Sequence, residues 1–419
     1  MNQLAIKCSL FVNYFIFAIL LNSVGIVIFQ VQNTYGVTES AASILEGCKD
    51  IPIAITSFLI ASFIAGFGYK RAMFIAMASL AIMCLAMPQV PSFWMTKILF
   101  VCVGVGFAVI KVSAFSCIGL VTQGPKEHAS LMSFLESFFM LGVLFAYFIF
   151  SLFVDDANPS SHGWLGVYYV LSALCALACV LLLFTNFDGG VEQTVDLDDS
   201  KASSFGSMLN LCAKPLVFVF VICAFLYVLV EQSIMTWLPS FNSSELNMSP
   251  TLSIQMAGIL AASTALGRFI SGIVLKKLHW YPLLLACLCL SAFAVIIVLP
   301  LTALVGDEPV TSWANAPLAA FIFPMIGLCL APVYPAINSV ILSALPKFQH
   351  APMTGLIVVF SALGGTTGSM ITGTLFELFD GRTAFYCSLI PIAAITYCLS
   401  LFKRHVEHNA LPAGIAANS

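Results

Sequence analysis

Residues 63–71 read FIAGFGYKR, and residues 269–277 read FISGIVLKK. The two strings start 206 residues apart in a chain of 419, about half its length. Phe, Ile, a small residue and Gly come in the same order in both: Phe63, Ile64, Ala65 and Gly66 against Phe269, Ile270, Ser271 and Gly272. Each string then closes on adjacent cations, Lys70-Arg71 and Lys276-Lys277. An apolar run that stops at paired cations is what a helix shows where it leaves a bilayer at its basic side. Its recurrence at half-chain spacing points to an internal repeat, which the rest of the chain has to support.

Apolar residues make up 60% of the chain and charged residues 8%, whereas an ordinary soluble domain carries roughly a quarter charged residues. Too few polar side chains are present to cover a water-facing surface. A mean hydropathy of +1.03 agrees that lipid solvates most of the chain. The formal charge of −3 decides little, because the side on which loop cations fall matters more than their sum. Among the 14 cysteines, Cys8, Cys84, Cys102, Cys117, Cys223, Cys287, Cys289, Cys329 and Cys387 sit in apolar runs without metal-ligand spacing. They read as small buried hydrophobes, not as a disulfide framework. Lys7 precedes an apolar stretch from Leu10 to Phe29 that could pass for a signal peptide. Its length of about 20 residues is that of a full span, and no small-x-small cleavage site follows, so it reads as the first membrane helix.

Apolar windows long enough to cross a bilayer fall near 9–31, 41–66, 72–88, 95–120, 130–153, 165–186, 214–239, 252–275, 281–304, 315–344, 353–378 and 384–402, twelve in all. Breakers and charges separate them, among them Tyr69-Lys70-Arg71, Gly124-Pro125-Lys126-Glu127, Gly306-Asp307-Glu308-Pro309, Pro346-Lys347 and Asp380-Gly381-Arg382. The longest polar insertion carries Asp188, Glu192, Asp196, Asp198 and Asp199 and divides six spans from six. The expected organisation is an all-α membrane protein: a six-helix bundle over 1–186, a cytoplasmic linker over 187–213, a second six-helix bundle over 214–404 and a cytoplasmic tail over 405–419. With the amino terminus inside, 12 of the 16 Lys and Arg residues fall on the cytoplasmic side or its edge, and only Lys97 and Arg382 near the outside. FIAGFGYKR then ends the second helix and FISGIVLKK the eighth, equivalent places in two halves related by an axis along the membrane normal. Gly66 and Gly272 are expected to permit close helix approach, and Lys70 and Arg71 to anchor the turn at the headgroups. Gly267 and Arg268 join the same structural or gating set.

Three strings narrow the reading: Glu231-Gln232-Ser233-Ile234-Met235-Thr236-Trp237-Leu238 in the seventh span, Tyr334-Pro335-Ala336-Ile337-Asn338-Ser339 in the tenth, and Gly104-Val105-Gly106 in the fourth. With twelve spans in two halves and Gly-containing basic turns, the chain resembles the major facilitator superfamily over nearly its whole length. Within it, the chain is similar to the fucose, galactose and glucose proton-symporter branch. The resemblance implies two pseudo-symmetric six-helix bundles rocking around a midplane cavity. Several positions depart from that pattern. The usual acid before the basic residues is absent from Gly66-Phe67-Gly68-Tyr69, and the first-helix acid of the branch is replaced by Leu21-Asn22-Ser23-Val24. The branch's helix-four acid falls on Val109, Lys111 follows two residues later, and a helix-five amide position holds Glu136. Sugar specificity is therefore not inherited with the fold.

An ionisable side chain in a span costs about 2.5 to 3.5 kcal/mol on insertion scales, so each one asks for a partner or a purpose. In helix two, Glu46 and Asp50 are i,i+4 neighbours with Lys49 between them. One cation cannot neutralise two carboxylates, so Glu46 and Asp50 are candidates for proton coupling; the alternative is a structural cluster at a wet outer vestibule. Lys111 and Glu136 lie at similar depths on a helical hairpin and are expected to pair, either as a bridge opened by protonation or by an anionic solute, or as a permanent brace. Glu136 is the favoured proton site. Glu231, with Gln232 beside it, is expected in the outer third of helix seven, as a cavity-facing gate or as an acid bonded between helices. Trp237 could stack on a sugar ring or simply lie at the interface where tryptophans collect. Asn22, Gln30, Tyr334 and Asn338 offer neutral hydrogen bonding to a polar solute.

No residue set argues for an enzyme. The six histidines fall at loops, span ends or the tail and complete neither a metal cluster nor a Ser/His/Asp set, and no P-loop pattern supplies ATP chemistry. No cofactor and no nucleic-acid partner is expected. The partners are the bilayer, protons and a small-molecule substrate, and the chain is expected to work as a monomer in a bacterial inner membrane. The expected function is proton-driven import of a small polar solute, sugar-like or an organic acid or amino acid. A proton antiporter that exports a metabolite or drug is the alternative, and a receptor that binds solute without moving it is a third reading of another class.

Overall fold

The computed structural model describes residues 3–60, 64–121, 125–185, 210–275, 277–302, 305–306, 308–346 and 349–410. The described chain is nearly all helical. Its first half forms α1 (Gln3–Asn22), α2 (Val24–Tyr35), α3 (Glu39–Ile60), α4 (Ile64–Phe67), α5 (Tyr69–Ala86), α6 (Phe93–Val121), α7 (Pro125–Ser151) and α8 (Val167–Phe184). The second half forms α9 (Pro215–Leu246), α10 (Pro250–Val274), α11 (Trp280–Thr302), α12 (Leu318–Ile322), α13 (Ile326–Leu330), α14 (Val333–Ala344), α15 (His350–Leu378), α16 (Gly381–Tyr386) and α17 (Leu389–Ala410). Two compact units result, Met1–Val195 with Leu238–Ser243 and Met248–Gly258, and Asp196–Trp237 with Ser244–Asn247 and Ile259–Ser419.

Ten helical stretches among the described residues are long and apolar enough to cross a membrane, and α1 with α2, bent by 41° about Ser23, makes an eleventh. The remaining expected span is α3. At 22 residues it is long enough to cross, but it carries Glu39, Glu46, Lys49 and Asp50, and that charge lowers its hydropathy. The tenth span is broken into α12, α13 and α14, because Pro324 and Pro332 have no N–H to continue the ladder. At the carboxyl end, α17 runs past residue 404 to Ala410, so the expected tail begins as helix. Phe63, Lys276, Lys347 and nearly all of the expected 187–213 linker lie outside the described residues. All 14 cysteines are free, but Cys8 and Cys289 are exposed on their helices rather than buried.

In the first unit, α6 packs along α3 and α5, α1 along α7, and α5 along α8. Close approach is concentrated at glycines. A Cβ on Gly104 of α6 would overlap the Lys49 backbone carbonyl of α3, and one on Gly142 of α7 would lie 2.6 Å from the Phe15 carbonyl oxygen. In the second unit, Gly364 and Gly368 of α15 meet the carbonyls of Phe225 and Leu229 of α9 in the same way. Gly364 and Gly368, four residues apart, make a small-xxx-small seam, and at all four glycines dispersion between bare backbones replaces side-chain packing.

The two repeated strings close differently. In the first, the chain turns at Gly68 (φ 94°), a conformation open to glycine, before α5 begins. In the second, α10 stays helical through Val274. Lys70 donates to the Leu183 carbonyl at 3.3 Å, so its charge sits on the C-terminal turn of α8. The expectation for Gly272 fails, since a Cβ there would meet nothing within 4 Å. Close approach on α10 is made five residues earlier, where a Cβ on Gly267 would sit 2.5 Å from the Leu328 carbonyl oxygen of α13. Gly66 lies in α4, and its surroundings are outside the description.

Candidate functional site

In the first unit three ionisable side chains are packed together midway along α3. Glu46, Lys49 and Asp50 are 0%, 3% and 7% exposed. Helical spacing puts Glu46 one turn before Lys49 and Asp50: Lys49 Nζ bonds the Glu46 carboxylate and lies 3.5 Å from Asp50 Oδ1. Helix α6 seals the cluster through Gly104, which lets it seat on the Lys49 carbonyl. Pro52, two residues after Asp50, gives up a backbone donor inside the same helix, so the Cys48 carbonyl receives no intrahelical bond there. Asp50 therefore lies near the middle of its helix. Burial of all three members disfavours the alternative of a wet cluster.

The second acid of this unit is Glu136, near the middle of α7. It lies on the face opposite the exposed apolar stripe of Phe134, Phe138, Leu141, Phe145 and Phe148, and it is itself exposed. Its Oε1 accepts a hydrogen bond from the buried Tyr14 hydroxyl at 3.2 Å. The ring of Tyr14 packs among Phe107, Phe115 and Phe139, with centroids at 6.3, 6.2 and 5.2 Å. Lys111 borders the same aromatic cluster, with Nζ 5.6 Å from the Phe107 ring and 5.8 Å from Phe115. Among the described residues no ion pair joins Lys111 to Glu136. The expected bridge is replaced by an aromatic group that separates the two charges.

In the second unit the sites converge on Glu231. Because α9 extends to Leu246, Glu231 lies at the midpoint of the helix rather than in its outer third. Its Oε1 accepts from the Tyr227 hydroxyl at 2.9 Å, one turn earlier, and from Arg268 Nη2 of α10 at 3.4 Å. Tyr227 stacks on Tyr334 of α14, with centroids 5.6 Å apart and planes at 18°. The Tyr334 hydroxyl lies 2.7 Å from Ser361 Oγ of α15. The Gly364–Gly368 seam holds α15 against α9 directly beside this group. Arg268, expected at the cytoplasmic edge among gating residues, is instead a member of the site, with a side chain 39% exposed.

The neutral residues divide. Gln232 and Asn338 are half-buried, and among the described residues Asn338 Oδ1 has no hydrogen-bond partner. Gln30 is buried, and its Nε2 likewise has none among the described residues. Asn22 donates to the Ala18 carbonyl at 2.9 Å, just before the bend of the first span, and so serves the helix break. Trp237 does not face a cavity. It is fully buried, its indole N–H donates to the Ser369 carbonyl at 3.0 Å, and its ring packs on Phe376 at 5.1 Å, so stacking on a solute is ruled out in this arrangement. Arg71 is exposed in the first turn of α5.

Two bundles of membrane-length helices, each with ionisable groups at mid-helix depth, define a polytopic membrane transporter. The sequence profile of the Major Facilitator Superfamily matches residues 10–347, and the chain belongs to that family. No curated protein matches it. Solved structures share its fold at low identity. A bacterial homolog of the human lysosomal transporter Spinster, inward-facing and occupied, is 16% identical with a TM-score of 0.70, covering 97% of this chain and 96% of that one. The D-xylose–proton symporter is 14% identical with a TM-score of 0.71, covering 95% and 97%. FucP in the outward conformation is 13% identical with a TM-score of 0.61, covering 96% and 99%. The family and its structural relatives are transporters, not enzymes.

Proposed function

We propose that the chain is a proton-coupled secondary carrier that imports a small polar organic solute by alternating access, as a monomer in a bacterial cytoplasmic membrane with both termini inside. The observation that carries proton coupling is the buried α3 triad. Two carboxylates share one ammonium away from water, an arrangement that leaves excess negative charge where it is expensive to hold. One bound proton removes that excess. Asp50 is the most accessible of the three and is the proposed proton site. Glu136, favoured from sequence, is exposed and accepts a hydrogen bond from Tyr14, and no second carboxylate shares a cation with it among the described residues.

For the solute, the half-exposed Arg268 beside Glu231 in the second unit favours a molecule bearing a carboxylate, an organic acid or amino acid, over a neutral sugar. Gln232, Tyr334 and Asn338 supply neutral donors and acceptors for the rest of it. A melting screen of the purified protein across carboxylates, amino acids and sugars tests the class. A ligand at 100 times its dissociation constant stabilises by about 2.7 kcal/mol, enough to see. Counterflow of the hit into proteoliposomes separates a carrier from a non-transporting receptor. Uptake with an imposed pH gradient then separates import from antiport. A sugar hit with no carboxylate hit overturns the solute class, and binding without counterflow overturns transport.

A further inference from the structure

In the first unit a cleft of ≈ 380 Å³ lies among α3, α4, α5 and α6, and no charged group of the site described above lines it. Its lining is almost wholly apolar, including Ile60, Phe67, Ile75, Val101, Val105 and Val109. Ile75, Val105 and Phe67 are 54%, 39% and 47% exposed, so the cleft opens on the outer surface of the helices at membrane depth. From Val101 to Val109 it runs about 12 Å along α6. One end reaches the turn at Gly68-Tyr69-Lys70-Arg71, since Phe67 and Ala72 on either side of that turn both line it. Arg71 is exposed there, and among the described residues no carboxylate pairs with it. Lys70 commits one of its three donors to the Leu183 carbonyl. Gly68 gives α5 no side-chain cap, so first-turn N–H groups face the same place.

We propose that this cleft is a binding site for an anionic phospholipid of the surrounding leaflet, one acyl chain lying in the apolar slot and the phosphate at Arg71, Lys70 and the first turn of α5. The occupant follows from the surroundings: a slot that opens into hydrocarbon and ends at two cations matches a molecule with an apolar chain and an anionic head. Zwitterionic lipid would fill the slot, but its own ammonium offsets the phosphate charge at the cations, and free phosphate would meet the cations but leave the slot empty. Each basic side chain near an anionic lipid head contributes about a fivefold factor, so the pair should select anionic over zwitterionic lipid by tenfold or more.

The test is native mass spectrometry of delipidated full-length protein titrated with phosphatidylglycerol and phosphatidylcholine of matched chains. Wild type should retain phosphatidylglycerol with at least about tenfold preference. Lys70→Gln with Arg71→Gln should erase the preference while leaving phosphatidylcholine retention unchanged. Val105→Trp should weaken retention of both lipids, and Ile75→Trp on the opposite wall serves if that variant does not fold. Equal retention of the two lipids by wild type overturns the proposal, as does a preference that survives loss of both cations, or release of the lipid by inorganic phosphate alone.

Discussion

At the scale of the residue, the proposed coupling rests on Asp50 and the recognition on Arg268. Asp50→Asn mimics the protonated carboxylate, so this variant should keep solute exchange in counterflow and lose accumulation against a gradient. Glu136→Gln should leave accumulation within about threefold of wild type, because that side chain is exposed and, among the described residues, bonded by the Tyr14 hydroxyl alone. Loss of accumulation in Glu136→Gln with accumulation kept in Asp50→Asn would move the proton back to Glu136. Arg268→Gln should weaken solute binding by about tenfold in a melting titration, with partial recovery in Arg268→Lys, which keeps charge but not the fork. The triad was legible in sequence because i,i+3 and i,i+4 spacing fixes neighbours within one helix. The Glu231–Arg268 pair was not, since it joins two helices whose relative depth depends on where α9 ends. Trp237 was misread for a similar reason: its partner Ser369 lies 132 positions away.

At the scale of the element, the helices are held by bare backbone at a few glycines. Gly104→Ala forces a methyl into the Lys49 carbonyl and should destabilise the protein by about 1 to 3 kcal/mol in detergent melting. Gly272→Ala meets open space and should be neutral or slightly stabilising, through the better helix propensity of alanine. Similar melting of the two variants would contradict the assignment of the tight contact. Loop chemistry gives a second test. Asp380 caps α16, accepting from the Thr383 backbone N–H at 2.6 Å. That bond, then the Thr383 side chain and the Arg382 charge, holds its carboxyl below the usual range. A depressed folded value means stability that is present above the unfolded carboxylate value of about 4 and lost as pH falls through the folded value. Asp380→Ala should therefore cost about 1 kcal/mol at neutral pH, and its melting difference from wild type should narrow as the medium is acidified. Span positions could be read from hydropathy and breakers. The seam glycines could not, because Gly364 and Gly368 look the same in sequence as Gly272, and only the neighbouring helix decides which one is crowded.

At the scale of the whole molecule, the superfamily fold was legible from twelve apolar windows and the repeat of FIAGFGYKR in FISGIVLKK. Its chemistry was less so, because α3 hides as a charged helix and the tenth span is interrupted by two prolines. The proposed carrier has its proton site in the first unit and an arginine–glutamate pair with stacked tyrosines in the second. Solute and proton must then move together. The direct measurement is the internal pH of proteoliposomes loaded with a pH-sensitive dye, with no imposed gradient and the potential clamped, when the solute that shifts the melting temperature is added outside. The account predicts acidification of the lumen that depends on the solute and is lost in Asp50→Asn. Alkalinisation would show exchange in the opposite sense, and solute entry with no change in pH would contradict proton coupling outright.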